Sequence, residues 1–344
     1  MTRELLNTLF IQTQDSYACL KDETVKVMRD QETVLRVPLH HLGAICAFGV
    51  VAISGPLMMK CAEEGRAIVF FDHMGRFKAR VTGKTGGNVL LRAAQWSTAG
   101  DLAERAAIAR SIVAGKIQNA RQVLLRGRRD AQNSDDGAAL GAIIDELARI
   151  LPRLPQISDL DELRGQEGIA AQAYFSVFDR LIAVPSAEFA FAVRSRRPPR
   201  DRMNALLSFV YSLATSDCVA ALEGVGLDPQ VGFLHALRPG RPALALDLIE
   251  EFRAVIIDRF CLTLVNRRQI APNDFDEREG GSCMLHSEGR KKVLTAYALR
   301  KKDEVRHELF KEKIPIGLLW HVQARILART LRGDIATYRP YMPT

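Results

Sequence analysis

The sequence predicts an α+β protein: a small N-terminal β-rich domain followed by a larger all-α catalytic domain. Up to about residue 82, short strand-like runs alternate with polar turns. From Gln95 onward apolar residues recur at helical spacing, as in Leu102, Ala106, Ile108, Ile112 and Val113. The chain has 344 residues, 47% of them hydrophobic, which is material for about two domains with sizeable cores. The expected division is 1–82, a connector at 83–94, and 95–344.

In the first domain, strands are expected at Tyr17–Lys21, Thr24–Arg29 and Thr33–Val37. One helix interrupts them, with Ser54 as N-cap, Pro56 in its first turn and Gly65 at its C-terminal end. A hairpin follows, Ala67–Asp72 and Lys78–Val81 flanking Met74 and Gly75. Thr82–Asn88, with three glycines, is the natural boundary. In the helical half, Asn133–Gly137 reads as an exposed loop. Leu206, Leu207, Val210, Leu213 and Ala214 mark a long apolar helix. A further helix starts after Pro155, with Ser158 as N-cap and Asp161 at the capping-box position, and continues through Leu163, Tyr174, Phe175 and Phe178.

The tract Gly224–His235 delivers a single histidine, His235, from a loop punctuated by glycine and proline. Behind it, a helix is expected with Pro242 in its first turn, where the missing N–H costs nothing. At about 100° per residue, Asp247, Glu250, Glu251 and Asp258 fall in one sector of that otherwise apolar helix. Such a stripe is costly unless solvated, paired with arginines such as Arg253 and Arg259, or neutralised by a cation. Imidazole plus carboxylate is a ligand set for a divalent ion that activates oxygen nucleophiles. Glu167 stands between Gly165 and Gly168 inside the helix that begins near Ser158, and each interior glycine costs about 1 kcal/mol relative to alanine. These glycines imply a close approach, by a packed helix or by a phosphate backbone. Helical geometry leaves Glu250 and Glu251 equally placed relative to Asp247.

The formal net charge is +8, from 48 Lys and Arg against 40 Asp and Glu. Its clustering says more: Arg194, Arg196, Arg197, Arg200 and Arg202 lie within nine residues, just before the helix that leads to the His235 loop. Pro198 and Pro199 would keep this run extended. The run is therefore expected beside the site, holding DNA through its phosphates, with a solvated linker as the alternative. Six scattered cysteines without CxxC spacing argue against a zinc site or a disulfide framework. His40, His41, His73, His286, His307 and His321 have no partner spacing. Met1–Glu4 lack a secretory apolar region, and the longest apolar tract, Leu42 to Ile53, is too short to span a bilayer. The expectation is a soluble, cytoplasmic protein with no membrane partner. Gly83-Lys84-Thr85 and Gly224-Val225-Gly226 each lack a glycine that a P-loop or dinucleotide fingerprint requires.

Several motifs in register resemble one family. Leu163–Ala171, Asn204–Phe209, Gly226–Pro229 to His235, and Leu246–Glu250 occur in the order and spacing of the CRISPR-associated integrases of spacer acquisition, the "Cas one" proteins. Asn266–Ile270 and the tail from Gln323 to Tyr338 look most like the subtype I-C branch. The resemblance covers essentially the whole chain. It implies metal ligands at Glu167, His235 and Glu250, with Asp247 supporting the site among the catalytic residues. Glu250 stands where many relatives have Asp, so this ligand reaches one methylene further. It also implies Mg²⁺ or Mn²⁺, a homodimer, and a small second CRISPR-associated partner ("Cas two"). The β domain is expected to make the dimer contact, because Ala67–Phe71 and Thr24–Arg29 offer strands with little helical cover of their own. The implied reaction captures short foreign DNA and joins its 3′-hydroxyl ends to the CRISPR repeat by transesterification. A stand-alone metal nuclease acting on branched DNA in repair, or a non-catalytic DNA-binding scaffold, are the readings from other classes.

Overall fold

The computed structural model describes residues 6–84, 89–131, 133–278 and 280–343. The N-terminal region carries β1 (Asn7–Ile11), β2 (Ser16–Lys21), β3 (Thr24–Arg29), β4 (Glu32–Pro38), β5 (Leu42–Phe48) and β6 (Val51–Ile53). Helix α1 (Gly55–Glu63), β7 (Ala67–Phe71) and β8 (Phe77–Val81) complete it. Ser54 caps α1 by accepting from the Leu57 N–H, as its sequence signal requires.

The strands form two sheets, β1-β5-β7-β8 and β4-β3-β2-β6. A shared core of Leu9, Ala18, Val25, Val27, Ile45, Ala47, Leu57 and Ile68 joins them. Alternation along β5 and β7 assigns the opposite faces elsewhere: Cys46, Phe48, Val69 and Phe71 belong to the core of the helical region. Gly75, in the turn between β7 and β8, has φ +79 and lies against the Phe209 ring, which leaves no room for a Cβ. The two regions are thus packed together through apolar surface.

The helical region comprises α2 (Val89–Gly100), α3 (Leu102–Asp130), α4 (Ser134–Ile150), α5 (Leu160–Ser176), α6 (Arg202–Val225) and α7 (Ala243–Phe252). A π-helical turn, Arg253–Asp258, runs from α7 into α8 (Arg259–Asn266). Hairpin β9 (Phe275–Arg278) and β10 (Ser282–Leu285), helix α9 (Ser287–Arg300), hairpin β11 (Glu304–Arg306) and β12 (Lys313–Pro315), and α10 (Ile316–Leu331) follow. The two hairpins correct the all-α expectation: this half is mostly helical but mixed. Helix α3 is its axis, packing against α4, α5 and α7. Helix α6 is apolar and long enough, by length and composition, to cross a membrane; here its Met203, Leu206, Leu207, Val210 and Leu213 are buried in the core.

Other expectations shift for local reasons. The connector is shorter than 83–94, because α2 already begins at Val89; residues 85–88 lie outside the described residues. Asn133 opens α4 as its N-cap, accepting from the Asp136 N–H, so Asn133–Gly137 is a helix start. Asp159, one residue beyond Ser158, caps α5 through the Glu162 N–H. Thr24–Arg29 and Ala67–Phe71, expected to offer open strands for dimerisation, are interior strands of their sheets. The edges are β4, β6, β1 and β8.

Candidate active site

The loop between α6 and α7 is fixed from four elements. Gln95 of α2 donates to the Asp228 and Val231 carbonyls (2.8 and 2.9 Å) and accepts from the Asp228 N–H. Arg105 of α3 donates to the Phe233 carbonyl (2.8 Å), and Arg164 of α5 to the Leu234 carbonyl (2.7 Å). Asp247 of α7, fully buried, accepts the N–H groups of Phe233 and Leu234 on Oδ2 (2.6 and 3.0 Å). Its Oδ1 takes the His235 N–H at 2.9 Å and faces His235 Nδ1 at 2.7 Å. Asp247 is therefore spent on holding the loop and the imidazole. With the Nδ1 proton on Asp247, the Nε2 lone pair of His235 is left for another partner, the arrangement typical of a metal-bound histidine.

His235 is half-buried and lies near Glu250 of α7. Glu250 is buried; its Oε1 pairs with Arg253 Nη2 at 2.9 Å and its Oε2 with Lys116 Nζ of α3 at 2.6 Å. The Lys116 contact is an ion pair without hydrogen-bond alignment. Burial alone would push the Glu250 carboxyl up. Arg253 and Lys116 outweigh that and hold it well below the usual carboxylate range. The same Lys116 ammonium meets Glu167 Oε1 of α5. Glu167 and Glu250, 83 positions apart in sequence (250 − 167), thus converge on one point, with His235 beside them.

The acidic stripe separates in the folded chain. All four carboxylates are buried, and each faces a different neighbour. Glu251 accepts from Tyr338 Oη (2.5 Å), from Gln323 Nε2 (2.8 Å) and from the Tyr341 N–H. Asp258 accepts from Tyr211 Oη at 2.5 Å. Burial raises the Glu251 carboxyl to about 7 and that of Asp258 to about 6. Sequence reasoning gave Lys116, Gln95, Arg105 and Arg164 no role at the site, because each is an ordinary polar residue on a helix until the fold aims it at the loop or the acids. Among the described residues, no three His, Cys, Asp or Glu side chains form a ready metal cage. The position between Glu167 and Glu250 is taken by an ammonium.

The glycines beside Glu167 have an open outlook. A Cβ at Gly165 or Gly168 would meet nothing within 4 Å, so no helix crosses closely there. The arginine run divides. Arg194 is built into the fold, bonding Asn204 Oδ1 (2.6 Å) and Ser208 Oγ (3.1 Å) and lying over the Tyr211 ring. Arg202 is likewise held, donating to the Glu188 carbonyl and to Glu277 (both 2.7 Å). These two are structural, which corrects the expectation that all five face DNA. Arg196, Arg197 and Arg200 are exposed.

Two carboxylates paired with one buried ammonium, and an imidazole held by a buried aspartate, make a polar, charged centre within the helical region. Residues 9–298 match the family model described as CRISPR associated protein Cas1. A CRISPR-associated endonuclease Cas1 of Moorella thermoacetica is 54% identical over 98% of both chains. One of Rhodospirillum rubrum is 48% identical over 98% of this chain and 99% of its own. The structure of a Cas1 protein from Thermotoga maritima superposes with a TM-score of 0.80 at 25% identity, covering 95% of this chain and 97% of that one. A casposase bound to its integration product has a TM-score of 0.85 at 20% identity over 97% and 93% of the two chains, a likeness of fold. The chain belongs to the CRISPR-associated Cas1 family and is an endonuclease of that family.

Proposed function

We propose that this endonuclease is a divalent-metal-dependent DNA integrase of CRISPR adaptation, of the subtype I-C branch, which joins 3′-hydroxyl ends of short duplexes to the CRISPR repeat. The observation that carries the reading is the meeting of Glu167 and Glu250 on one cationic point, beside an imidazole whose Nδ1 is already spent on Asp247. Glu167, Glu250 and His235 Nε2 would hold Mg²⁺ or Mn²⁺, and the mixed oxygen and nitrogen set suits either. The donor chemistry fits: Glu250 Oε2 is a buried carboxylate oxygen already turned to a cation, the Lys116 ammonium, at 2.6 Å. An ion held there would supply Lewis-acid polarisation of the scissile phosphate and charge stabilisation for the departing oxygen.

The chain's own residues do the rest. Asp247 fixes the imidazole tautomer and the loop that carries it. Arg253 holds Glu250 ionised and oriented. The open backbone at Gly165 and Gly168 lets a phosphodiester approach Glu167 without meeting a side chain. Arg196, Arg197 and Arg200 offer sequence-independent phosphate contacts. One phosphodiester is exchanged for another, so no ATP is required. The partners we assign are duplex DNA, a second copy of the chain and the small Cas2 protein; the same fold occurs in a Cas6-RT-Cas1–Cas2 complex.

The test is strand joining by the full chain with its partner in Mn²⁺ or Mg²⁺. His235→Ala and Glu167→Gln should each abolish joined product while leaving the melting profile cooperative. Normal joining by His235→Ala would remove His235 from the site. Cut branched DNA with no joined product in the native chain would make the protein a stand-alone metal nuclease.

A further inference from the structure

Lys116 is the residue that the proposed reaction leaves unexplained. It lies midway along α3, only 9% exposed, with its ammonium between Glu167 and Glu250. A buried ammonium is costly unless paired, and here its pairing consists of the two carboxylates assigned to the ion. With Arg253 on the other oxygen of Glu250, two positive groups balance two negative ones. A divalent ion and this ammonium cannot share the same point, since like charges at contact repel strongly in a low-dielectric interior.

The fold provides the ammonium with a second place. A cavity of about 20 Å³ lies against Lys116, walled by Ala120, Ala170, Tyr174, Arg253 and Asp258. That is room for one water-sized group. Asp258 Oδ2, the Tyr174 hydroxyl and Arg253 Nε are all buried on its walls without an aligned hydrogen bond, the Tyr174 hydroxyl lying within reach of the Asp258 carboxylate. Asp258 is 1% exposed, and its Oδ1 accepts from Tyr211. The Arg253 guanidinium, also on the wall, pairs through Nη2 with Glu250 and lies over the Tyr211 ring. A buried carboxylate oxygen on the wall of a space that Lys116 also lines is a docking position for its ammonium.

We propose that Lys116 is a two-position internal cation: it holds Glu167 and Glu250 together when no ion is bound, and moves to Asp258 Oδ2 when a divalent ion enters. This rests on the reading of Glu167 and Glu250 as ion ligands. Ion affinity is then set by competition with Lys116, and Asp258 favours the ion by receiving the displaced ammonium. Lys116 and Asp258 line the same cavity, so the move is one within a shared space.

The test is Mn²⁺ binding to the full chain, read by electron paramagnetic resonance of free ion and by the shift of melting temperature with Mn²⁺. Lys116→Met should bind Mn²⁺ at least tenfold more tightly than the native chain and gain more melting temperature from it. Asp258→Asn should weaken Mn²⁺ binding severalfold in the native background and leave it unchanged in the Lys116→Met background. If Lys116→Met proves too unstable without ion, Lys116→Gln, which keeps hydrogen bonding without charge, carries the same comparison. Equal or weaker binding by the uncharged variant overturns the proposal. So does an Asp258→Asn effect of the same size in both backgrounds. His235→Ala separates the two readings: if it leaves Mn²⁺ binding unchanged in both backgrounds, the ion site itself is misassigned.

Discussion

Glu250 and Glu251 are adjacent in sequence and opposite in fate. About 100° of helical rotation turns Glu250 toward α3 and the cations, and Glu251 toward the C-terminal tail. Glu251 has three hydrogen-bond donors and no cation, so burial dominates and its carboxyl rises to about 7. The folded state therefore holds the Glu251 proton more tightly than the unfolded state, whose value is near 4.5. Stability from this group is full below about 4.5 and declines as pH rises toward 7, by up to about 3 kcal/mol. Melting profiles of Glu251→Gln and the native chain should diverge across that window, with the native chain losing more; parallel profiles would show that Glu251 is not buried in this way. Asp258 declines in the same direction but is common to both chains, so it cancels. Glu250→Gln should abolish strand joining, whereas Glu251→Gln should keep it within a fewfold of native.

The loop and the helix behind it work as one element. Gly232 packs against α7, and a Cβ there would lie 2.8 Å from the Ala243 carbonyl carbon and 2.8 Å from Asp247 Oδ2. Gly232→Ala must move either the α7 backbone or the carboxylate that fixes His235. Overpacking of this kind costs roughly 1–3 kcal/mol. The variant should melt lower and join strands more slowly even when saturated with Mn²⁺; native rates would show that the loop tolerates the shift. Farther along, the π-helical turn at Arg253–Asp258 changes the phase of the chain. A uniform 3.6-residue period puts Asp258 in one sector with Asp247, Glu250 and Glu251. The wider turn takes it to Tyr211. Such a turn inserts without a glycine or proline to signal it, which is why the stripe reads as continuous in the sequence.

Across the whole molecule, charge and packing divide the arginine run. Arg196, Arg197 and Arg200 are free to meet phosphate, while Arg194 links Asn204, Ser208 and Tyr211 of α6. Replacing the three exposed arginines with alanine should leave the melting temperature unchanged. It should weaken binding to all duplexes alike and flatten the salt dependence, by about one unit of slope for each phosphate no longer neutralised. Arg194→Ala should do the reverse, lowering the melting temperature by removing a partner from buried Asn204. Equal salt slopes in the native chain and the triple variant would leave the exposed run as a solvated segment.

The sequence by itself determined the β-then-helix order, the α1 cap at Ser54 and the place of His235 in a loop ahead of a helix rich in acids, because each is written in a local period, a capping residue or a motif at fixed spacing. It also carried the family, through several motifs in register. Tertiary structure decided which carboxylate meets which neighbour. Lys116 reaches Glu167 and Glu250 from α3, Tyr338 and Tyr341 reach Glu251 from the tail, and Arg194 turns inward. Those pairings span from about ten to well over a hundred residues, and no local period records them. They are set by burial: a charge or hydroxyl excluded from water takes the partner the fold brings to it, whatever its distance along the chain.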